Sequence, residues 1–196
     1  MNRFTAPRSL LLAAVLVALG PAACAKNATT AEPPPKFHAA DYQPLAIGNQ
    51  WTYAGKVMGQ PVQKTITITG VQDGYFVDDA NGRLRVDASG LRDDKRYLLQ
   101  DPVRLGHTWT AIVSVASTER YEIADAGFTV NTPAGSFQDC VLVRASNRID
   151  GRREMRSEWT FAPGVGIVRM ATLLREGDRE LPQVRIELTS HKIQPN

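Results

Sequence analysis

Imidazole and hydroxyl side chains are the first candidates for chemistry, because they serve proteins as metal ligands, bases and nucleophiles. His38, His107 and His191 are far apart in the sequence, and none has a second ligand at metal-binding spacing. No serine lies in a G-x-S-x-G or S-x-x-K arrangement, and no glycine loop suited to phosphate binding is present. We therefore expect a non-enzymatic protein with no metal and no cofactor.

Carboxylates cluster at Asp78–Gly82, where the sequence DDANG resembles part of a calcium-binding loop. Calcium loops place oxygen ligands at positions one, three and five and glycine at position six, and this segment does not. A tight hairpin turn accounts for the same residues.

Cys140 lies in an apolar stretch between Phe137 and Val143. If Cys24 is acylated, no second cysteine remains for an intramolecular disulfide. We expect Cys140 to behave as a small buried apolar residue; a reactive or intermolecular thiol is the alternative.

Aromatic residues are the remaining candidates for a binding site. Five of them fall on predicted strands and are candidates to line a groove for a lipid or another apolar ligand: Trp51, Tyr53, Trp109, Trp159 and Phe161. The alternative is that these rings fill the core, since a single sheet needs apolar cover. In that case we would expect the functional site in the exposed loops at Asp101–Gly106 and Asp125–Gly127.

These side chains must be positioned by β-strands. Trp51 and Tyr53 alternate with polar neighbours, and Thr65–Thr69 alternates β-branched and polar positions. The turn dipeptides Asp73-Gly74, Asn81-Gly82 and Ser89-Gly90 recur every eight residues, which predicts a meander of short hairpins. We predict an all-β domain of roughly ten antiparallel strands in up-and-down order, forming a curved sheet, half-barrel or open barrel.

A hairpin is predicted around Pro163 and Gly164, because proline followed by glycine is typical of a type II turn. Gly166 then lies inside the returning strand. A glycine there indicates a bulge or a close approach of another backbone.

The N-terminus has the parts of a secretory signal, with Arg3 and Arg8 before an apolar run at 10–19. The run is about half the ~20 residues that a membrane-spanning helix needs. Ala22-Ala23-Cys24 resembles a bacterial lipobox, although Pro21 stands where that motif usually has an aliphatic residue. The resemblance implies cleavage after residue 23 and acylation of Cys24, including palmitate; the alternative is a non-lipidated signal cleaved near Ala23 or Ala25.

We therefore predict a signal peptide at 1–23, a lipidated cysteine with a flexible proline-rich tether at 24–41, and a single β domain at 42–196. Loss of residues 1–23 lowers the formal net charge from +3 to +1. Basic residues alternate with acids along the sequence, as at 92–96. This pattern argues against a nucleic-acid partner.

Three segments together resemble a broad group of secreted and lipid-anchored bacterial β proteins of uncharacterised function: 45–53 with W-x-Y, 132–140 with P-A-G-x-F-x-D-C, and 161–168 with A-P-G-V-G-x-V. The group's architecture is similar to the half-barrel of the LolA/LolB-like lipoprotein carriers. The resemblance implies the fold and no catalytic residue.

The expected protein is a lipoprotein of the cell envelope, anchored by its lipid to the outer membrane and facing the periplasm. Ala25 after the cysteine favours the outer membrane, because the retention signal is an aspartate there. Its domain would act as a binding or assembly module with an envelope protein partner. The alternative is a carrier or sensor of a hydrophobic ligand.

Overall fold

The computed structural model describes residues 35–115 and 117–195. These residues form one short helix, α1 at Ala39–Tyr42, and strands numbered in chain order. The strands of the first half are β1 Gln50–Val57, β2 Gln60–Gln72, β3 Tyr75–Asp78, β4 Arg83–Asp87, β5 Gly90–Arg92 and β6 Tyr97–Gln100. Those of the second half are β7 Thr108–Ser114, β8 Ser117–Thr132, β9 Gly135–Arg148, β10 Arg153–Ala162, β11 Gly166–Glu176 and β12 Arg179–Lys192.

All strand pairings in this part of the chain are antiparallel and belong to one sheet. The order is β6-β5-β4-β3-β2-β1-β12-β11-β10-β9-β8-β7. Every consecutive pair except β6 and β7 is hydrogen-bonded, and β1 also pairs with β12. The predicted all-β, up-and-down open barrel is thus confirmed, with twelve described strands where roughly ten were predicted.

The period-two pattern of the sequence explains which side chains face inward. Trp51 and Tyr53 on β1 are 4% and 9% exposed, whereas Thr52 between them is only half-buried. On β9, Val141, Val143 and Ala145 are buried in the same alternation. Successive side chains point to opposite faces of a strand, so one apolar set fills the interior.

Two groups of buried residues form the core. One contains Leu91, Leu99, Tyr121 and Phe161 with α1, and the other surrounds Trp51 and Tyr53 and includes Val168 and Leu188. Leu45 and Ile167 pack against both groups. The two groups therefore make one continuous interior.

The sheet is open between its edge strands β6 and β7, and side chains link the two edges. The indole Nε1 of Trp109 on β7 donates a hydrogen bond to the Tyr97 carbonyl on β6 at 3.0 Å. Beside it, Arg96 Nη1 lies 2.6 Å from the carboxylate of Glu119 on β8. We call this junction the seam.

Residues 35–41, which lie within the predicted tether, pack on the domain. Ala39 is buried and its amide donates to Asp101 Oδ1 at 3.1 Å, while Tyr42 is buried with its hydroxyl on the Asp139 carbonyl at 3.2 Å. Phe37 packs against the same core group. The physical reason is that Phe37 and Ala39 add apolar surface to an otherwise polar stretch. Residues 1–34, including the predicted signal peptide and Cys24, lie outside the described residues.

The Pro163-Gly164 turn has the predicted geometry. Gly164 has φ 68°, and the Val165 amide donates to the Ala162 carbonyl at 3.2 Å, as in a type II turn. The Gly164 amide donates to the Asp41 carbonyl at 2.7 Å, so α1 closes over the turn.

Gly166 marks the predicted irregularity. The register of β10 and β11 shifts between Thr160 and Phe161, opposite Val168, two residues after this glycine, which itself pairs with Ala162. Gly166 has φ 110°, and a Cβ there would lie 2.6 Å from Gln43 Oε1. The group that approaches Gly166 closely is a side chain, whereas the sequence predicted a bulge or a close approach of another backbone.

Candidate functional site

All five predicted groove residues lie on the inner side of the sheet, but in two separate groups. Trp109 and Phe161 belong to the core group with α1, and the partly buried Trp159 packs against it. Trp51 and Tyr53 belong to the other group. Their role as a ligand groove stays a prediction.

Three rings of the first group form a stack across β7, β8 and β10. Trp109 lies directly opposite Tyr121, with ring centroids 5.1 Å apart, and Tyr121 lies 6.2 Å from Trp159. The strand between Tyr121 and Trp159 is β9, where the facing residue is Ala145. Trp159 faces Val143 on the same strand, so the two rings meet diagonally across β9.

The stack is tied to the seam by a charged network. Tyr121 donates its hydroxyl proton to Glu119, whose carboxylate also accepts both hydrogen bonds from Arg96 Nη1, each at 2.6 Å. Burial, and next the hydrogen bond to Glu119, raise the pKa of Tyr121 well above its ordinary value. The phenol therefore stays protonated at neutral pH and holds structure together.

Trp51 and Tyr53 line a small apolar cavity of about 90 Å³ together with Ile66, Ile68 and Phe76. Their polar atoms are already bonded, with Trp51 Nε1 on the Val165 carbonyl at 2.6 Å and the Tyr53 hydroxyl on the Ile167 carbonyl at 2.9 Å. Pockets for drug-sized ligands usually measure about 300–1,000 Å³. The cavity is therefore too small for a lipid in this conformation.

Cys140 is fully buried, which confirms its predicted placement. Its Sγ–H group donates a hydrogen bond to the Phe137 carbonyl oxygen at 3.3 Å. Burial raises the pKa of this thiol above its ordinary value, so less thiolate is present at any given pH.

The three histidines have different ring contacts, although His38 and His107 both interact with Asp101. His107 stacks on Trp109 with centroids 5.7 Å apart, His191 lies against Phe137 at 6.0 Å, and His38 Nδ1 is 3.5 Å from Asp101. Within residues 35–115 and 117–195, no group of three or more histidine, cysteine or acidic side chains is placed to hold a metal ion.

The segment that resembles a calcium loop is a turn. Asp78 Oδ1 accepts hydrogen bonds from the amides of Ala80 at 2.8 Å and Gly82 at 2.7 Å. Its carboxylate is thus used to close the hairpin between β3 and β4.

The sequence prediction of a loop at Asp125–Gly127 is wrong, because these residues lie within β8, at shifts in its register with β9. They come together with the Asp101–Gly106 loop beside residues 36–42. Both contribute to a cavity of about 310 Å³, with Phe37 and Tyr42 on its other side. Gly106 also donates its amide to the Ile123 carbonyl at 2.8 Å, which holds the first loop on β8.

The outward face of β7–β11 carries arginine residues that the sequence analysis did not single out. Two neighbouring cavities, of about 490 Å³ and 210 Å³, share Glu154. The arginines that line them are Arg120, Arg144, Arg148, Arg152, Arg153, Arg156 and Arg175, and the acids are Glu122, Asp150 and Glu154. Five of these arginines belong to the β9–β10 hairpin, where acidic and uncharged residues are interspersed among them in the sequence, and strand pairing brings Arg120 and Arg175 to them, so a search for basic runs misses the set.

No helix in the part of the chain that the structure describes is long and apolar enough to cross a membrane.

No family model matches the chain, and neither does any curated protein. Among solved structures, the chain is similar to a protein of Bacteroides fragilis described as a candidate exported protein with a YmcC-like fold, with 15% identity, 78% of this chain and 99% of that chain covered, and a TM-score of 0.45. It is also similar to a candidate lipoprotein of Parabacteroides distasonis, with 13% identity, coverage of 78% and 98%, and a TM-score of 0.41. Similarity this distant says nothing about what this chain binds.

Proposed function

We propose that the protein is a non-enzymatic lipoprotein of the cell envelope whose β domain acts as a binding or assembly module. The signal-like N-terminus and the lipobox-like Ala22-Ala23-Cys24 support anchoring through an acylated cysteine. Ala25 favours the outer membrane, with the domain facing the periplasm.

One observation carries the choice of a binding module over a carrier: the interior of the sheet is occupied. Tyr121 and Phe161 are fully buried, and Trp109 is 8% exposed. The apolar cavity at Trp51 and Tyr53 measures only about 90 Å³. A partner or ligand is therefore expected on the outside of the sheet, where the larger cavities lie.

The second candidate function is a carrier or sensor of a lipid or another hydrophobic ligand. The apolar lining of that small cavity favours it, because Ile66, Ile68 and Phe76 would offer suitable contacts if the sheet opened. The seam, with side-chain links in place of a backbone ladder, is where such opening would occur.

Anchoring is tested with Cys24→Ala in the native host. We expect this variant to lose acyl labelling and to leave the membrane fraction, because stable attachment needs more than one acyl chain and a lipidated cysteine supplies them. Unchanged membrane partition of the variant would contradict the lipoprotein assignment. Cys140→Ala is the matched control, and it should remain in the membrane fraction.

The choice between module and carrier is tested with Trp51→Ala, Trp109→Ala and Trp159→Ala. Truncation of a core tryptophan typically costs about 3–5 kcal/mol, so we expect all three to lower the free energy of unfolding, Trp159 least because it is only partly buried. Chemical denaturation and binding of an apolar fluorescent probe measure the two effects. Ile112→Ala is the control, since Ile112 is 77% exposed. A tryptophan variant that melts like the wild type and loses probe binding would establish the carrier.

A further inference from the structure

We propose that the outward groove on β7–β11 binds a phosphorylated ligand, with one phosphate group held between Arg120 and Arg156 over Ser146. This assignment rests on the proposed binding function and names the class of ligand. It depends on how the side chains of adjacent rows, which run across the strands, are paired.

The row on one side of the groove contains two acids and one arginine and so carries one net negative charge. Glu122 on β8, Arg144 on β9 and Glu158 on β10 lie opposite one another in register. Arg144 is 3.7 Å from Glu122 and 3.0 Å from Glu158. Arg144 thus has a carboxylate partner on each side.

The next row contains two arginines and no acid. Thr110 on β7 pairs with Arg120 on β8, Arg120 with Ser146 on β9, and Ser146 with Arg156 on β10. We call these four residues the middle row. All four line the cavity of about 490 Å³.

The middle row is only partly paired within residues 35–115 and 117–195. The guanidinium group of Arg120 and the hydroxyl groups of Thr110 and Ser146 make no hydrogen bond or ion pair there. Arg156 Nε is buried with no hydrogen-bond partner, and its Nη2 forms an ion pair with Glu154 at 3.8 Å. The unused donors of this row are therefore the exposed Arg120 guanidinium and the hydroxyl groups of Thr110 and Ser146, while Arg156 shares its charge with Glu154.

Phosphate fits these donors in charge and in geometry. Arg120 and Arg156 are two strand spacings apart, roughly 9–10 Å between backbones, which two arginine side chains can bridge from either side. Each guanidinium offers a planar fork that matches phosphate oxygens, and Ser146 between them offers a hydroxyl. A phosphate monoester carries about −1.5 to −2 charges at pH 7, which two arginines neutralise.

The neighbouring cavity of about 210 Å³ extends the site toward the β9–β10 turn. Arg148 and Arg152 line it, and their side chains make no hydrogen bond or ion pair with another described residue. Arg153 is paired with Asp150 at 2.7 Å. Seven arginines and three acids line the two cavities together, so a ligand with a second phosphate group would find further unpaired charge there.

A nucleic acid is less favoured than a small phosphorylated ligand. Binding of single strands usually relies on exposed aromatic rings on which bases stack. The aromatic residues that line the two cavities are Trp109 and Tyr121, and both are buried.

The test uses the full-length Cys24→Ala chain, which is free of lipid. Inorganic phosphate and tripolyphosphate are titrated by calorimetry in buffered sodium chloride. We expect tripolyphosphate to bind more tightly than phosphate. We also expect Arg120→Gln and Arg156→Gln each to weaken binding at least about tenfold, since hydrogen bonds to charged groups contribute about 1.5–3 kcal/mol. Arg179→Gln is the matched control, because it removes the same charge at an exposed position outside both cavities.

A second arm distinguishes a lipid headgroup from a soluble ligand. Vesicles of phosphatidylcholine with and without phosphatidic acid are sedimented with the same proteins. Binding only to phosphatidic acid, lost in Arg120→Gln, would identify a headgroup and support the site. Arg120 is exposed, so this variant remains informative even if Arg156→Gln does not fold.

Three results would overturn the proposal: no binding in either arm, equal loss in Arg179→Gln, or tighter binding of a single-stranded oligonucleotide of the same charge. The binding module proposed above would survive the first two, because anchoring and interior packing are measured independently.

Discussion

The buried thiol of Cys140 shows how strand position sets the reactivity of a side chain. Its Sγ points into the core, lies 3.3 Å from the Phe137 carbonyl oxygen and has its pKa raised by burial. Both the low accessibility of the Cys140 sulfur and its small thiolate fraction slow its reaction with thiol reagents.

We therefore expect the native Cys24→Ala protein to resist thiol reagents until it is unfolded. Because the folded-state pKa is raised above 9.0, the thiol contributes stability that is fully present below pH 9 and is lost as the pH rises through the folded-state pKa. The rate of Cys140 labelling with and without denaturant, followed by mass spectrometry, tests the expected resistance to thiol reagents. The same chain with Ser114→Cys is the control, since Ser114 is exposed and its thiol should react at once. Fast labelling of native Cys140 would show that the strand opens readily.

At the scale of elements, the β10–β11 hairpin depends on one backbone conformation. Gly164 lies in the left-handed region with φ 68°, and its amide bonds to Asp41 at 2.7 Å. A Cβ at this position would meet no atom within 4 Å. Any penalty for a side chain here therefore comes from backbone strain and not from a clash.

Gly164→Val should lower the free energy of unfolding by about 1–3 kcal/mol, because a β-branched residue at positive φ is strained. Denaturant melts measure the change. Gly164→Asn should cost less, since asparagine tolerates this conformation. Gly151→Val is the matched control: Gly151 is also in a turn with open space around it, but it is not at positive φ. If Gly164→Val melted like the wild type, the turn would have a different geometry in solution.

Structural elements that are determined by residues adjacent in the sequence could be predicted from it. Pro163-Gly164 specifies its own turn, and the alternation at Trp51 and Tyr53 specifies an inward face. Helix α1 could not be predicted, because four residues carry no helical period and its position depends on contacts with Asp101 and Gly164.

At the scale of the whole molecule, the register of strand pairing determines which side chains meet, and the sequence alone does not show this. Arg120, Ser146 and Arg156 meet because β8, β9 and β10 pair in one particular alignment. A shift of one residue would turn all three side chains to the other face. The same holds for Tyr121 and Trp159, whose rings approach diagonally across β9 in this register. The inward-facing rings could therefore be predicted one by one, but their separation into two groups could not.

The pairing of β1 with β12 has a consequence for how the chain is made. Thr189 Oγ1 on β12 bonds the Thr52 carbonyl on β1 across 137 positions of sequence. A nascent chain emerges from its N-terminus, so β1 keeps one unpaired edge until the last strand has been synthesised. Closing so long a loop is slow compared with forming the local hairpins. Newly made protein is thus expected to pass through a state with an exposed strand edge, in which holdase chaperones and not the finished fold protect it from aggregation.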